Sequence, residues 1–347
     1  AGTHGKTTTS SMLAWILEYA QCSPGFLIGG VPHNFGISAR LGEAEFFVIE
    51  ADEYDTAFFD KRAKFVHYRP STLSITNIEY DHADIYTDLN SILWQFHQLL
   101  RTIPSNGRVH VNGHDKNIEK LLEQGVWSPI ETFGTESGTN WCASYGAQGA
   151  ESHFNVYREG IKIGETAWNL FGKHNLENAL AALSAAVHAG VSVETGLEAL
   201  SQFKGVKRRL EKRGTYDEIT LYDDFAHHPT AITATTCALR DQHIGSRIVI
   251  VIEPKSNTMK MNIHGDLLLK ALAQGDRIFL LASDDLEWNP ESVLASLGSS
   301  LSVSWDVDSM LEMLLEDLQS GDCVVMMSNG GFQGLRDRLQ EALKSQI

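Results

Sequence analysis

The sequence predicts an α/β chain: a mostly parallel sheet domain with a small antiparallel flap, followed by a second α/β domain. Three observations predict it. Short apolar runs alternate with helical patterns at both ends of the chain, which is how βαβ units read. The pattern changes between Trp141 and Trp168, where a hairpin interrupts the alternation. The alternation then restarts beyond a basic stretch, Phe203–Gly214, and 347 residues at ~150 per domain leave room for about two cores.

The elements follow in order. Met12 to Tyr19 reads as a helix, Phe26 to Ile28, Phe46 to Ile49 and Leu73 to Thr76 as strands, and Leu89 to Ile103 as a long helix. Phe154–Tyr157, Glu159-Gly160 and Ile161–Ile163 read as strand, turn and strand, the expected flap. Leu176, Ala179, Leu180, Leu183 and Val187 fall on one helical face, and Gly190 is the expected C′ residue. Phe203–Gly214 is the densest basic cluster, read either as a solvated linker or as a hinge whose cations face a phosphate. Ile219–Tyr222, Ile248–Ile252, Ile278–Leu281 and Val324–Met327 are the strands of the second domain.

Composition sets limits. The net charge of −16 argues against non-specific nucleic-acid binding, which needs clustered Lys and Arg. No apolar run approaches the ~18 residues of a membrane span. Cys22, Cys142, Cys237 and Cys323 are too scattered for a zinc site or a disulfide framework, and fit a reducing compartment. The chain begins Ala1-Gly2-Thr3, without an initiator Met or a signal peptide, and is expected to be a fragment with upstream sequence. Nothing in the sequence speaks to oligomeric state.

Five segments carry chemistry. Gly2-Thr3-His4-Gly5-Lys6-Thr7-Thr8 has the make-up of a phosphate loop: glycines shape a turn whose N–H groups meet an anion at a helix start, Lys6 reaches the β/γ-phosphates and Thr7 holds Mg²⁺. That makes the first domain P-loop-type. Glu50-Ala51-Asp52-Glu53-Tyr54-Asp55 and Asn77-Ile78-Glu79-Tyr80-Asp81-His82-Ala83-Asp84 each place acids after an apolar strand, at the sheet edge where α/β sites lie; hard divalent cations want such oxygens. The plain alternative for both is a polar loop. Asn175 and Asn178 share one side of a first helical turn, although Asn175 could simply cap it. Tyr222-Asp223-Asp224-Phe225-Ala226-His227-His228-Pro229 sits at a strand-to-helix junction in the second domain, with a polar turn as the alternative.

Taken in order, GTHGKTTT, EADEYD, NIEYDHAD, GKHNLENALAA, FKGVKRRL and DDFAHHPT resemble the Mur ligase superfamily, ATP-dependent amide-forming ligases of peptidoglycan synthesis. Within it the chain is similar to the muramate-recognising branch. EPKSNTMK (253–260) and MSNGGF (327–332) are similar to its tripeptide-adding recycling member rather than its alanine-adding one. Phe59–Arg62 through Tyr68–Pro70 is similar as well.

The resemblance implies a domain plan and a reaction. Residues 1–207 would be the central ATP-binding domain, lacking its first strand, and 208–347 a Rossmann-like C-terminal domain, with an N-terminal UDP-binding domain absent. The implied substrates are ATP, UDP-N-acetylmuramate and the tripeptide L-alanyl-γ-D-glutamyl-meso-diaminopimelate, with Mg²⁺ as cofactor, in the cytoplasm. ATP would phosphorylate the lactyl carboxylate, and the peptide amine would displace the phosphate.

By the same resemblance Lys6, Glu50, His82 and Arg209 are catalytic, and Thr7, Glu50 and His82 hold metal. Gly2, Thr3, His4, Gly5, Lys6, Thr7, Thr8, Asn175, Asn178, Arg209, Asp224 and His228 bind ATP; Asn257 and Lys260 hold the acceptor peptide. Several Mur ligases carry a carbamylated Lys after the D-H motif. Asp88–Arg101 contains none, with His97 roughly in its place, so no carbamate is expected and the completion of the second metal is open. The runner-up is UDP-N-acetylmuramate–L-alanine ligase. A nucleotide-dependent switch is the alternative of a different class, and leaves Asn175, Asn178 and the hinge arginines unexplained.

Overall fold

The computed structural model describes residues 1–146 and 153–345. The chain divides into two compact units, Ala1–Asp81 with Ile85–Lys207, and His82–Asp84 with Arg208–Ile347.

The first unit opens with α1 (Lys6–Tyr19), then β1 (Gly25–Leu27), β2 (Ala39–Arg40), β3 (Phe47–Ile49) and a hairpin of β4 (Asp55–Ala57) and β5 (Asp60–Ala63). There follow β6 (Thr72–Ile75), α2 (Leu89–Leu100), β7 (Arg108–Asn112), α3 (Lys116–Glu123), β8 (Ile130–Gly134), β9 (Trp141–Tyr145), β10 (His153–Arg158), β11 (Ile161–Ala167), α4 (Lys173–His188) and α5 (Val193–Ser201). Apart from the β4–β5 hairpin, these strands form two sheets. One has the order β2-β1-β3, and the other runs β11-β10-β9-β8-β7-β6. From β6 to β9 the pairing is parallel; β9, β10 and β11 pair antiparallel, so the flap is an extension of the main sheet. Its turn residues, Glu159 and Gly160, both have positive φ (50° and 76°), as a tight hairpin requires.

α1 starts six residues earlier than its apolar spacing suggested, because β-branched Thr7, Thr8 and Thr9 hide its first turn. α2 stops at Leu100, short of the expected Ile103; two tight turns follow and Pro104 blocks continuation. Met12, Ile16, Phe26, Leu180 and Leu183 form one core with α4, and Phe65, Ile75, Phe96, Leu99, Val109 and Val111 form another. Each such side chain contributes ~1.5–3 kcal/mol by leaving water.

The second unit holds β12 (Glu211–Tyr216), β13 (Ile219–Asp224), α6 (Pro229–Gln242), β14 (Ile248–Ile252), α7 (Asn257–Lys260), α8 (Gly265–Leu272), β15 (Arg277–Leu281), α9 (Pro290–Val293), β16 (Leu301–Ser304), α10 (Val307–Asp317), β17 (Cys323–Met327) and α11 (Leu335–Ser345). Its sheet has the order β12-β13-β17-β14-β15-β16, parallel except for β12. The basic stretch read as linker or hinge therefore ends in a strand. Glu211 to Tyr216 pair along the otherwise open side of β13, and the charged Lys212 and Arg213 suit an edge position.

Candidate active site

The first unit's site is built around a loop that only glycine can form. Gly2 and Gly5 have φ of 129° and 81°, and a Cβ on them would lie 2.3 Å from Thr76 Oγ1 and from Asn178 Oδ1 respectively. The loop is docked on the segment after β6. Thr3 N and His4 N donate to Asn77 O (3.0 Å) and Asn77 Oδ1 (2.8 Å), while Asn77 Nδ2 donates to His4 O (3.1 Å). Glu79 N donates to Thr3 Oγ1 (2.8 Å), and His4 Nε2 lies 3.0 Å from Glu79 Oε2. The backbone donors of Thr3 and His4 turn inward to Asn77 and anchor the loop to the segment after β6. An anion would meet the start of α1. Gly5 caps it without a side-chain bond and no acid lies in its first turn, Lys6–Thr8, so the helix's own residues do not oppose the positive end of its dipole.

Three acids surround that end. Glu53, 2 % exposed, lies 3.0 Å from Lys6 Nζ, and Asp52 lies 3.9 Å away. Burial opposes the charge on Lys6, yet Glu53, Asp52 and Glu50 outweigh it and raise its pKa above the usual lysine value. Glu50 accepts from the Thr7 hydroxyl (3.0 Å) and from Gly29 N (2.7 Å). A hydroxyl and an oriented carboxylate side by side are the donor set a hard divalent cation takes, so Thr7 and Glu50 fit Mg²⁺. Glu53 was not singled out from the sequence. Its place three residues past Glu50, in the same strand-end cluster, was the available signal.

Asn178 is buried against the loop and accepts from Thr9 Oγ1 (3.2 Å). Asn175 does not cap α4; Gly172 does, with φ 88°, and Asn175 Nδ2 donates back to Phe171 O (2.8 Å). His82 has left-handed backbone (φ 54°) and lies in the short His82–Asp84 segment that groups with the second unit, whereas Thr7 and Glu50 belong to the first. His97, on α2, packs its ring 5.7 Å from that of Trp127.

In the second unit, β13 delivers Asp224. Its carboxylate accepts from Leu210 N (2.5 Å), Ala226 N (2.7 Å) and Thr235 Oγ1 (3.4 Å). Burial raises its pKa in spite of Arg209 and these donors. Arg209 stacks on Phe225, 4.4 Å from the ring centre. His228 caps α6, accepting from Thr230 N at 3.3 Å, with Pro229 next in line. The acceptor candidates are held by acids: Lys260 Nζ lies 2.5 Å from Asp285, and Asn257 Nδ2 donates to Asp84 (3.0 Å). Hydrogen bonds from Lys260 and then Ser283 hold the Asp285 pKa down to about 2.

Sequence reading passed over a second cluster here. Asp223, next to Asp224, meets Arg336 Nε at 2.8 Å, and burial pushes its carboxyl up to about 6 in spite of Arg336 and Arg208. Only the strand-end position of Asp223 hinted at it; Arg336 arrives from α11.

Residues 1–186 match the family described as Mur ligase middle domain, and residues 208–330 match Mur ligase, glutamate ligase domain. A curated relative, the UDP-N-acetylmuramate–L-alanyl-γ-D-glutamyl-meso-2,6-diaminoheptandioate ligase of Escherichia coli, is 48% identical over 344 residues, 99% of this chain and 75% of the relative. A crystal structure of a murein peptide ligase from Psychrobacter arcticus is similar with a TM-score of 0.75 and 41% identity, over 100% of this chain and 77% of that one. A UDP-N-acetylmuramate–L-alanine ligase of Desulforapulum autotrophicum is 31% identical over 99% of this chain and 76% of the relative. Among the described residues no helix is long and apolar enough to cross a membrane.

Proposed function

This chain belongs to the Mur ligase family, and we propose that it carries the ATP-using chemistry of a ligase joining UDP-N-acetylmuramate to L-alanyl-γ-D-glutamyl-meso-diaminopimelate. The single observation that carries the ATP half is the glycine-capped start of α1, with Lys6 at its mouth and Thr7 paired to Glu50. The choice of tripeptide over alanine is supported by 48% identity to the tripeptide ligase against 31% to the alanine ligase.

A carboxylate is a poor electrophile, and transfer of the γ-phosphoryl group gives it a leaving group. Lys6 neutralises the transferred charge, and the α1 N-terminus orients the phosphates. On ATP binding Lys6 exchanges Glu53 for phosphate oxygens. Thr7 and Glu50 would hold Mg²⁺, with His82 offered to a second ion; the cation would neutralise phosphate charge. Asn178 keeps the loop in shape, Asn175 supports the start of α4, and Arg209, Asp224 and His228 serve the nucleotide from the C-terminal domain, which we take as 208–347 beside a central domain of 1–207. The peptide's N-terminal amine then displaces phosphate from the acyl phosphate, and the released proton leaves with the product phosphate. Lys260 and Asn257 exchange their acids for the peptide's carboxylates. We take the reaction to serve recycling of wall peptides in the cytoplasm.

The test is ADP release by the complete natural protein with ATP, Mg²⁺ and UDP-N-acetylmuramate, adding either tripeptide or L-alanine. Tripeptide-dependent release and an amide product are expected. Release driven by L-alanine instead would replace this reading with the alanine-adding one.

A further inference from the structure

The hairpin β4–β5 turns at Phe58 and Phe59, and both rings stand in water: Phe58 is 93 % exposed and Phe59 91 %. Ala57 pairs with Asp60, so these two residues make the whole turn. Two-residue hairpin turns favour Asn, Asp or Gly at positive φ. Here both positions hold phenylalanine and neither has positive φ, so turn chemistry does not explain the choice. Packing does not explain it either, since a ring left in water forgoes the stabilisation that burial brings. The base of the hairpin, by contrast, is fixed. Ala63 N donates to the buried Gln95 at Oε1 (3.0 Å), Lys64 N to Tyr54 O (2.9 Å) and Thr56 Oγ1 to Arg62 O (2.8 Å). A firmly held arm thus carries its most apolar residues at its free end.

Charge around the tip runs against the rest of the chain. Phe58–Arg69 holds Lys61, Arg62, Lys64 and Arg69 against one acid, Asp60, whereas the whole chain has 28 Lys and Arg against 44 acids. Lys61 and Arg62, next to the tip, are exposed and pair with the less exposed Asp55 and Asp60, each at 2.7 Å. Ion pairs this exposed are worth little and exchange readily for another anion. The Lys61 ammonium lies 5.9 Å from the centre of the Phe58 ring, so apolar and cationic groups reach outward together. This combination suits the surface of an anionic bilayer, where rings enter the headgroup–acyl boundary and Lys and Arg meet lipid phosphates. Neither ring shelters the other, since each is more than nine-tenths exposed, and two separate rings fit a continuous layer better than one small ligand. The chain's net charge of −16 does not decide this contact, because charges beyond ~8 Å are screened at physiological salt.

We propose that the tip Phe58–Phe59, flanked by Lys61 and Arg62, is a peripheral docking site for an anionic lipid bilayer. The rings insert at the interface, and the two cations take lipid phosphate oxygens in place of Asp55 and Asp60. The contact spans nothing: among the described residues no helix is long and apolar enough to cross a membrane. Two rings and two cations make a weak, reversible anchor. The proposal goes beyond the ligase reading and does not depend on it.

The test is flotation of the complete natural protein with vesicles of phosphatidylcholine alone, or mixed in about equal parts with phosphatidylglycerol. The partition coefficient is expected to be about tenfold higher with phosphatidylglycerol and to fall as salt is added. F58S/F59S should lower it about tenfold, and K61S/R62S about fivefold. Both variants should melt within about 2 °C of the unaltered protein, because exposed turn residues carry little stability. No binding to phosphatidylglycerol vesicles, or binding that survives F58S/F59S, overturns the proposal. Two further results also overturn it. F58S/F59S that lowers ADP release more than about twofold without vesicles assigns the tip to a substrate. F58S/F59S that dissociates a dimer assigns it to a second copy of the chain. Vesicle binding that needs the two rings supports the proposal even if the unaltered protein releases no ADP with tripeptide, in which case the ligase reading alone falls.

Discussion

Two loops, Gly2–Thr8 in the first unit and Ser328–Phe332 in the second, cross the carboxyl edge of a parallel sheet, and they are held in opposite ways. The first is shaped by what is missing. Gly2 and Gly5 carry no side chain, so Thr76, Asn77 and Asn178 can press against the backbone, and the cation, Lys6, stands among acids that a phosphate can replace. The second is shaped by what is added. Arg208 and Arg336 are committed to backbone carbonyls, and Glu253 to a hydroxyl and an N–H. A loop that must bind a polyanion keeps its positive groups exchangeable. A loop whose carbonyls are gripped by guanidinium groups uses its cations as scaffolding.

The largest test of that contrast is Lys6→Met. If Lys6 is the exchangeable cation, ADP release should fall by about 10²–10³-fold, the scale of losing one charge-stabilising donor. Near-normal turnover would mean that the helix end alone suffices. Glycine substitutions sharpen the comparison. Gly5→Ala meets both a positive φ and Asn178, and should lower unfolding free energy by ~1–3 kcal/mol in denaturant titrations. Gly331→Ala has ordinary φ and nothing within 4 Å, and should stay within ~0.5 kcal/mol. Equal costs would erase the distinction.

A further effect is on pH. His110, 1 % exposed, has neither ring nitrogen hydrogen-bonded among the described residues, and burial lowers its pKa to about 4. The unfolded chain takes the proton near 6.5 and the folded one near 4, so stability is whole above 6.5 and drains away as pH falls through that window, by ~1.4 kcal/mol at pH 5.5. His110→Phe should remove this loss, seen as a flatter melting temperature between pH 7 and 5. Asp223 works in the other direction: its carboxyl is raised from 3.8 to about 6, so its contribution is complete below 3.8 and is lost as pH rises through 6. The same acidification thus weakens one unit and relieves the other.

The glycine-shaped turn ahead of α1 is legible because its determinants are contiguous: two glycines, a lysine and a threonine within six residues need no tertiary information. Thr7 and Glu50 were legible for a related reason, since strand ends can be read from apolar runs. The inward turn of Thr3 and His4 was not, because it depends on Asn77 arriving from another strand. Glu53 was hidden by its neighbours, since local pattern does not say which of four acids faces the lysine. Arg336 was invisible for the strongest reason. It sits on an amphipathic helix where an arginine usually means solvent, and only the packing of α11 turns it toward Asp223. Strand β12 was misread because charged residues at a sheet edge look like a linker.

That edge strand has a practical consequence. All six residues of β13 are buried, and β12 is what closes its outer side. A C-terminal piece begun at Arg208 keeps that cover. One begun after Tyr216 would bare a fully buried strand with open hydrogen-bonding groups, a template for self-association. Solubility of the isolated half is therefore decided by nine residues that, in the sequence, look like the most dispensable part of the chain.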